Sequence, residues 1–229
     1  MKPLIFLGTG IGNLEFPISI CNLRGIPVAG IIDSDYFGNT KDMSGIPVIG
    51  SEENFDFDTA SNTYDFFVGA SGYIRDLRSF RKRMRYVELV EQKQLPCATL
   101  IHPTSEILKS GTVIEPGCLI GFCAGIDYNV RIGKHSQLHS FSVVAHDVVI
   151  GQNCSLGTHS FYMPYINIGN HVTVGPGAAI VRSSKGTTTI GDMAEIHPRV
   201  TVARDVEPGE LISLAGGNTR RIYGEVIRT

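Results

Sequence analysis

An aliphatic or aromatic residue returns every six positions through the second half of this chain. The series runs Leu108, Ile114, Ile120, Ile126, Ile132, Leu138, Val144, Ile150, Leu156, Tyr162, Ile168, Val174 and Ile180. After an insertion of four residues it resumes at Ile190, Ile196 and Val202. Four residues after each member stands a small or β-branched residue: Thr112, Cys118, Ala124, Val130, Ser136, Ser142, Val148, Cys154, Ser160, Ile166, Val172, Ala178 and Ser184, then Ala194, Val200 and Val206. Chance does not hold that register over thirteen consecutive hexads, so the second half is an internal repeat.

The period has a physical cause. Three short strands, one per hexad, close one triangular coil, and coils stack so that each strand pairs with the equivalent strand of the next. The large residue of each hexad is expected to point inward, and the residue four places on to lie near a corner with room for a small side chain. Gly121, Gly133, Gly151, Gly157, Gly169, Gly175 and Gly191 are expected to relax the backbone at the turns. Such a pattern predicts an all-β left-handed parallel β-helix of roughly five coils over residues 98–206, followed by a C-terminal tail over 207–229.

The first half has a different grammar. Pro3 to Leu7 is an apolar run that enters Gly8-Thr-Gly10-Ile-Gly12-Asn13 and then a helical segment through Leu23. A second strand, Val28 to Ile32, ends in Asp33-Ser-Asp35. Ile46 to Gly50, the strand Tyr64 to Val68 and a basic amphipathic helix around Ile74–Gln94 follow. Strands alternating with helices predict a small Rossmann-like α/β domain over residues 1–97.

The chain has 229 residues and a formal net charge of −2, which gives no general attraction to nucleic acid or to an anionic membrane. The opening apolar run is too short for a signal peptide or a membrane span, and a cytoplasmic protein is expected. Five cysteines with no Cys-x-x-Cys pair read as buried free thiols, with no zinc site or disulfide frame.

Gly8, Gly10 and Gly12 follow a strand and open a helix, a setting suited to a phosphate at the helix N-terminus or to a tight structural turn. Asp33 and Asp35 stand at the next strand end, where a carboxylate can accept hydrogen bonds from a ribose or a base, or cap a solvated turn. Taken together they point to a nucleotide-bearing ligand. The helix with Arg75, Arg78, Arg81, Lys82, Arg83 and Arg85 reads first as a solvated face.

Six of the seven histidines lie in the repeat, and none falls on an inward position, so they are expected to project outward or sit at turns. His146 differs from the others in being followed by Asp147. A proton acceptor is needed at neutral pH for acyl transfer to an amine or hydroxyl; imidazole meets that need, and a nearby carboxylate fixes its tautomer.

With these features the chain resembles the sialic-acid and bacillosamine O/N-acetyltransferase family. The shared stretches are the Gly-rich opening, Gly30-Ile-Ile-Asp33-Ser-Asp35, Gly45-Ile-Pro-Val-Ile-Gly50, Tyr64-Asp-Phe-Phe67, Leu100-Ile-His-Pro103 and Val144-Ala-His-Asp-Val-Val-Ile-Gly151. The resemblance implies an acetyl-CoA-dependent acyltransferase acting on a nucleotide-linked amino sugar for surface-glycan synthesis. His146 would be the base and Asp147 its support, while Gly8, Gly10, Gly12, Asp33 and Asp35 would meet the nucleotide sugar. It further implies a homotrimer with CoA in the groove between adjacent β-helices, along Ser155, Gly175, Pro176, His197 and Pro198, and no metal. Three positions depart from the family pattern: Ser155 replaces a second histidine, Pro164 replaces a glycine whose N–H meets the thioester carbonyl, and the Gly-rich loop lacks a histidine. Ser155 is then a candidate donor to the oxyanion. Alternatives are O-acetylation of a sugar hydroxyl, a non-catalytic nucleotide-sugar-binding or scaffold protein, and a metal-dependent hydratase, which would need three converging histidines such as His102, His135 and His139.

Overall fold

A computed structural model describes residues 2–9, 14–69, 77–214 and the backbone of 219–220. The chain divides into two compact units, Met1–Pro103 and Thr104–Thr229.

In the first unit the apolar run becomes β1 (Leu4–Leu7), buried at all four residues as expected of a strand covered on both faces. The helix α1 (Glu15–Arg24) follows and stops at Gly25, whose left-handed backbone (φ 64°) ends it. Next come β2 (Val28–Ile32), β3 (Asp42–Met43), β4 (Ile46–Gly50), the short α2 (Phe57–Ala60), β5 (Asp65–Val68) and α3 (Leu77–Gln92). The sheet order is β3-β4-β2-β1-β5, parallel except for the β3–β4 pair. β1 thus lies between β2 and β5, and the chain changes side there. In open parallel sheets the crevice outside the carboxyl ends of such strands is where ligands bind. Tyr86, Val87 and Val90 of α3 pack with Ile5, Leu7, Phe57 and Phe66 into the core of this unit.

The second unit is a prism of three parallel sheets. The first face stacks Glu106–Ile107, Gly125–Ile126, Val143–Val144, Phe161–Tyr162, Ala179–Ile180 and Thr201–Val202. The second carries Val113–Ile114, Arg131–Ile132, Val149–Ile150, Ile166–Ile168 and Thr188–Ile190, and the third includes Leu119–Ile120, Gln137–Leu138, Ser155–Leu156, Thr173–Val174 and Glu195–Ile196. The inward column of the third face, Ile120, Leu138, Leu156, Val174 and Ile196, is buried throughout, as the hexads predict. These parallel sheets and the six-residue register are consistent with a left-handed winding.

The small residue four places on has a second task besides fitting a corner. Ser136 Oγ donates to the Gly151 carbonyl at 2.7 Å, Ser142 Oγ to that of Gly157 at 2.8 Å, and Cys118 and Cys154 send their thiols to Gly133 and Gly169. Each ties a buried turn carbonyl to the neighbouring coil. Burial raises the Cys154 thiol to about 12, keeping it protonated. Cys123 departs from the expectation of buried thiols, since it is exposed at a corner.

Four expectations change. At the start of the repeat the inward residue is Ile107, paired with Ile126, while Leu108 is 56% exposed, so the register slips by one there. At the insertion the buried small residue is Thr188, paired with Ile166, and Ser184 lies in the exposed loop. The turn glycines serve close approach rather than a special backbone angle. Left-handed φ values fall instead on Cys123, Asn129, His135, Phe141, Asp147, Asn153, His159, Tyr165 and His171, one every six residues. Finally, stacking continues past residue 206, where the expected tail begins with a strand, Glu210–Ile212, paired with Glu195–Ile196.

Two glycine substitutions separate close approach from ordinary strand packing. A Cβ at Gly133 would lie 2.7 Å from the backbone of Gly151, whereas one at Gly125 would meet nothing nearer than Val143 at 3.9 Å. Gly133→Ala should cost about 1–3 kcal/mol in urea unfolding. Gly125→Ala should be neutral or stabilise by up to ~1 kcal/mol.

Candidate active site

Because coils repeat, residues 18 apart stack along the prism edges. On the edge between the first and second faces, one column is Tyr128, His146, Pro164 and Arg182, and the next is Asn129, Asp147 and Tyr165. His146 Nδ1 lies 2.7 Å from Asp147 Oδ2. Neighbours in sequence meet here because Asp147 occupies the left-handed corner (φ 57°), where the chain reverses. Asn129 donates its amide to the other oxygen of Asp147. These two bonds, that of His146 first, hold the Asp147 carboxyl below the usual carboxylate range, so it stays ionised at neutral pH. An ionised carboxylate can only accept, which places the proton of a neutral imidazole on Nδ1 and a lone pair on Nε2.

Two aromatic rings confine the imidazole. Tyr128 stacks parallel to it with centroids 5.0 Å apart, and Tyr165 meets it edge-on at 5.7 Å. The His146 side chain keeps 27% exposure, enough for a ligand to reach. Tyr128, Asn129 and Tyr165 were not singled out from sequence; stepping 18 residues either way from His146 and Asp147 finds them.

The residues expected along CoA lie elsewhere on the prism. Ser155 belongs to the third face, paired with Gln137 and Thr173, and is buried. Its hexad opens a different face of its own chain from that of His146. Gly175, Pro176, His197 and Pro198 follow third-face strands and stand on the edge between the third and first faces. His197 Nε2 is 3.5 Å from Glu195 Oε1.

His135 sits at a turn, as expected of the repeat histidines, yet is buried at 2% exposure. It occupies a left-handed corner (φ 59°) with its ring over Gly117, whose missing side chain leaves the space. His159 keeps the expected corner position and stacks on Phe141 at 4.8 Å.

In the first unit, Gly8 closes β1 in the left-handed region (φ 68°), its N–H bonded to Ile32 O at 2.9 Å. Gly10, Gly12 and Arg75 lie outside the described residues. Asp33, expected to meet the nucleotide, is fully buried in the described structure. One carboxylate oxygen accepts from the Thr9 N–H (2.7 Å) and hydroxyl (2.9 Å), the other from Lys82 Nζ (2.7 Å) and the Asp35 N–H (3.0 Å). With four donors on two oxygens, Asp33 organises the strand end rather than meeting solvent. Lys82 also bonds Asp35 at 2.8 Å, and that bond first of all lowers the Asp35 carboxyl below its ordinary range. Asp35 remains 40% exposed. Arg85 pairs with Glu52 at 3.0 Å, and Arg83 is buried with a bond to Val68 O at 3.1 Å. The basic helix is therefore not simply a solvated face. Nothing in its sequence marks Lys82, whose role depends on which side of α3 meets β2.

Residues 129–161 match the sequence profile of the bacterial transferase hexapeptide family (six repeats). The chain is 33% identical over 112 residues to the bifunctional protein GlmU of Clostridium acetobutylicum, covering 49% of this chain and 22% of that protein. It is 29% identical over 72 residues to the UDP-3-O-acylglucosamine N-acyltransferase of Albidiferax ferrireducens, covering 31% and 22%. The chain thus spans about a fifth of the length of these curated relatives. Solved structures resemble it along almost its whole length. GDP-perosamine N-acetyltransferase of Caulobacter crescentus, a histidine-to-alanine variant in complex with CoA and GDP-perosamine, superposes with a TM-score of 0.80 at 22% identity, covering 96% of this chain and 97% of that one. The acetyltransferase domain of PglB from Neisseria gonorrhoeae, in complex with acetyl coenzyme A, gives 0.78 at 17% identity, covering 96% and 99%. WeeI from Acinetobacter baumannii gives 0.75 at 19%, covering 96% and 100%. At these identities the likeness shows the fold.

The carboxylate network predicts a difference between its members. Lys82→Met leaves the buried Asp33 charge without its counter-ion and should cost about 3–5 kcal/mol in chemical unfolding. Asp35→Asn, at the exposed end, should cost under ~1 kcal/mol. A depressed folded-state pKa contributes stability above the unfolded value and loses it as pH falls through the folded one. The gap between Asp35→Asn and wild type should therefore close on acidification below the ordinary aspartate range.

Proposed function

We propose that the chain is an acetyl-CoA-dependent N-acetyltransferase acting on the amino group of a nucleotide-linked amino sugar, with His146 as general base. The observation that carries this reading is the His146–Asp147 pair: a 2.7 Å contact to Nδ1 leaves Nε2 as acceptor on an accessible edge between two tyrosines. Support also comes from the relative named as a UDP-3-O-acylglucosamine N-acyltransferase, and from the fold shared with a perosamine N-acetyltransferase solved in complex with CoA and GDP-perosamine.

The chemistry follows from that geometry. Nε2 takes a proton from the acceptor amine as the nitrogen lone pair attacks the thioester carbonyl. The tetrahedral oxyanion then collapses, the C–S bond breaks, and the CoA sulfur leaves with the proton carried by the imidazolium. Asp147 stabilises that transient cation and holds the Nδ1–H tautomer. No covalent enzyme intermediate and no metal are required.

We assign the nucleotide to a Rossmann-like reading of the first unit, at the strand ends marked by Gly8 and Asp35, with Asp33 and Lys82 shaping them. A homotrimer completes the account. The base and the expected CoA residues stand on different edges of one prism, and edges from two copies would bring them together. Phe141, Val143 and Phe161, all more than 40% exposed along the first face, offer the apolar surface for such packing. Acetyl-CoA and nucleotide sugars are cytoplasmic metabolites, so we place the protein in the cytoplasm; no described helix is long and apolar enough to cross a membrane.

His146→Ala should lower turnover by about 10²–10⁴ with little change in nucleotide-sugar affinity. Near-normal turnover in that variant would remove the assignment. Asp147→Asn should keep the fold and affinity yet lower kcat, because an amide can present its N–H to Nδ1 and favour the wrong tautomer.

A further inference from the structure

The two residues that touch the His146–Asp147 pair from the preceding coil are themselves neighbours in sequence. Tyr128 lies 18 positions before His146 and Asn129 lies 18 before Asp147, so one dipeptide is stacked on the other. The contacts follow that register: ring on ring at 5.0 Å with parallel planes, and amide on carboxylate. On the following coil the same two positions hold Pro164 and Tyr165, which bring an aromatic edge at 5.7 Å but no amide. Among the described residues, the polar side chains that bond Asp147 are His146 and Asn129.

The Tyr128–Asn129 dipeptide is itself anchored. The Tyr128 N–H donates to Asp127 Oδ1 at 2.8 Å, and the Asn129 N–H to Ser110 O at 2.8 Å. Thr112 Oγ1 donates to Asp127 O at 2.9 Å, tying the turn to the coil before it. Asn129 sits in a left-handed corner (φ 55°) with its amide oxygen over Gly111, where an added Cβ would come within 3.1 Å of that oxygen. Gly111 leaves room for the oxygen, and the NH₂ is turned to Asp147, the orientation in which an ionised carboxylate can accept from the amide.

Each contact removes a different freedom. Asp147 keeps 28% exposure, and a bond to one oxygen alone lets such a carboxylate turn about its Cβ–Cγ bond. Bonds on both oxygens fix its plane. The imidazole, tied at Nδ1, can still swing out of that plane, and the face of Tyr128 lies parallel against it. That face is also the electron-rich side of the tyrosine ring, turned toward the imidazolium that forms once Nε2 has taken a proton. Stacking alone occurs elsewhere in the prism: His159 lies on Phe141, again 18 residues earlier, at 4.8 Å and 9°, with Ser160 rather than an acid after it. His146 differs in having the stack and the anchored carboxylate together.

We propose that Tyr128 and Asn129 are a positioning pair for the base, Asn129 acting through Asp147 and Tyr128 through the plane of the imidazole, so that Nε2 stays a proton acceptor. The inference rests on the role given to His146 above.

Nitrogen NMR of the ligand-free, full-length protein with isotope-labelled histidines reads the tautomer directly, the His146 signals being identified by their loss in His146→Ala. At alkaline pH, where imidazole is neutral, wild type should carry the His146 proton on Nδ1. Asn129→Gly, which removes the amide and suits the left-handed corner, and Tyr128→Leu should each bring in the Nε2–H tautomer while the His159 signals stay in place. With acetyl-CoA and the amino sugar that wild type turns over, each should lower kcat by about 2–10-fold, with KM for both substrates within about twofold. Tyr128→Phe, which keeps the ring, should keep the wild-type tautomer and kcat. A pure Nδ1–H tautomer in either Asn129→Gly or Tyr128→Leu overturns the proposal. So does a Tyr128→Phe variant as impaired as Tyr128→Leu, a change that reaches His159 equally, or a kinetic effect confined to KM. Turnover by wild type tests the acetyltransferase reading separately: if no nucleotide-linked amino sugar is acetylated, that reading fails and the tautomers still decide the positioning.

Discussion

Parallel pairing between successive coils, with an 18-residue step, is the constraint on which the second unit depends. Once Val144 pairs with Ile126 and Tyr162, every turn residue is set above and below its equivalents. The buried hydroxyls and thiols at the corners reinforce that alignment by tying turn carbonyls between coils. A column of equivalent positions is therefore also a column of contacts. Asn129, Asp147 and Tyr165 are neighbours for this reason, and so are Tyr128 and His146.

Such a scaffold positions an imidazole beside a carboxylate without a dedicated loop. The left-handed corner that each hexad requires is filled at one rung by Asp147, which turns its carboxylate onto the preceding imidazole. The same corner at other rungs holds His135, Asn153 or His171. In the first unit a buried charge plays the corresponding organising part. Asp33, saturated by Thr9, Lys82 and the Asp35 N–H, fixes the strand end beside the switch in strand order, and leaves Asp35 partly open.

Much of this was legible in the sequence, and what was missed has physical causes. The hexads identified the inward columns because burial repeats with the coil. They failed at Leu108, where the pairing of Ile107 with Ile126 slips by one residue, and at Ser184, where an inserted loop shifts the register. His146 and Asp147 stood out as adjacent residues, and the structure added the contact that adjacency alone does not guarantee. Tyr128, Tyr165 and Arg182 were present in the same 18-residue arithmetic, applied to faces rather than to edges. Asp33 was recognised as a functional carboxylate but not as a buried one, since its burial depends on Lys82 from a helix 49 residues later. The glycines at the turns pointed to the right places for the wrong reason. They permit backbones to approach, and the left-handed angles fall two residues later.

The most direct test of the central claim is a paired assay of purified protein with acetyl-CoA and nucleoside-diphosphate-linked amino sugars. Free thiol is followed by a colorimetric reagent, and the sugar product by mass spectrometry. The account predicts thiol release that requires the amino sugar and matches, mole for mole, the gain of one acetyl group on its amine. Release of thiol without sugar acetylation, or binding of both ligands with no thiol release, would contradict it.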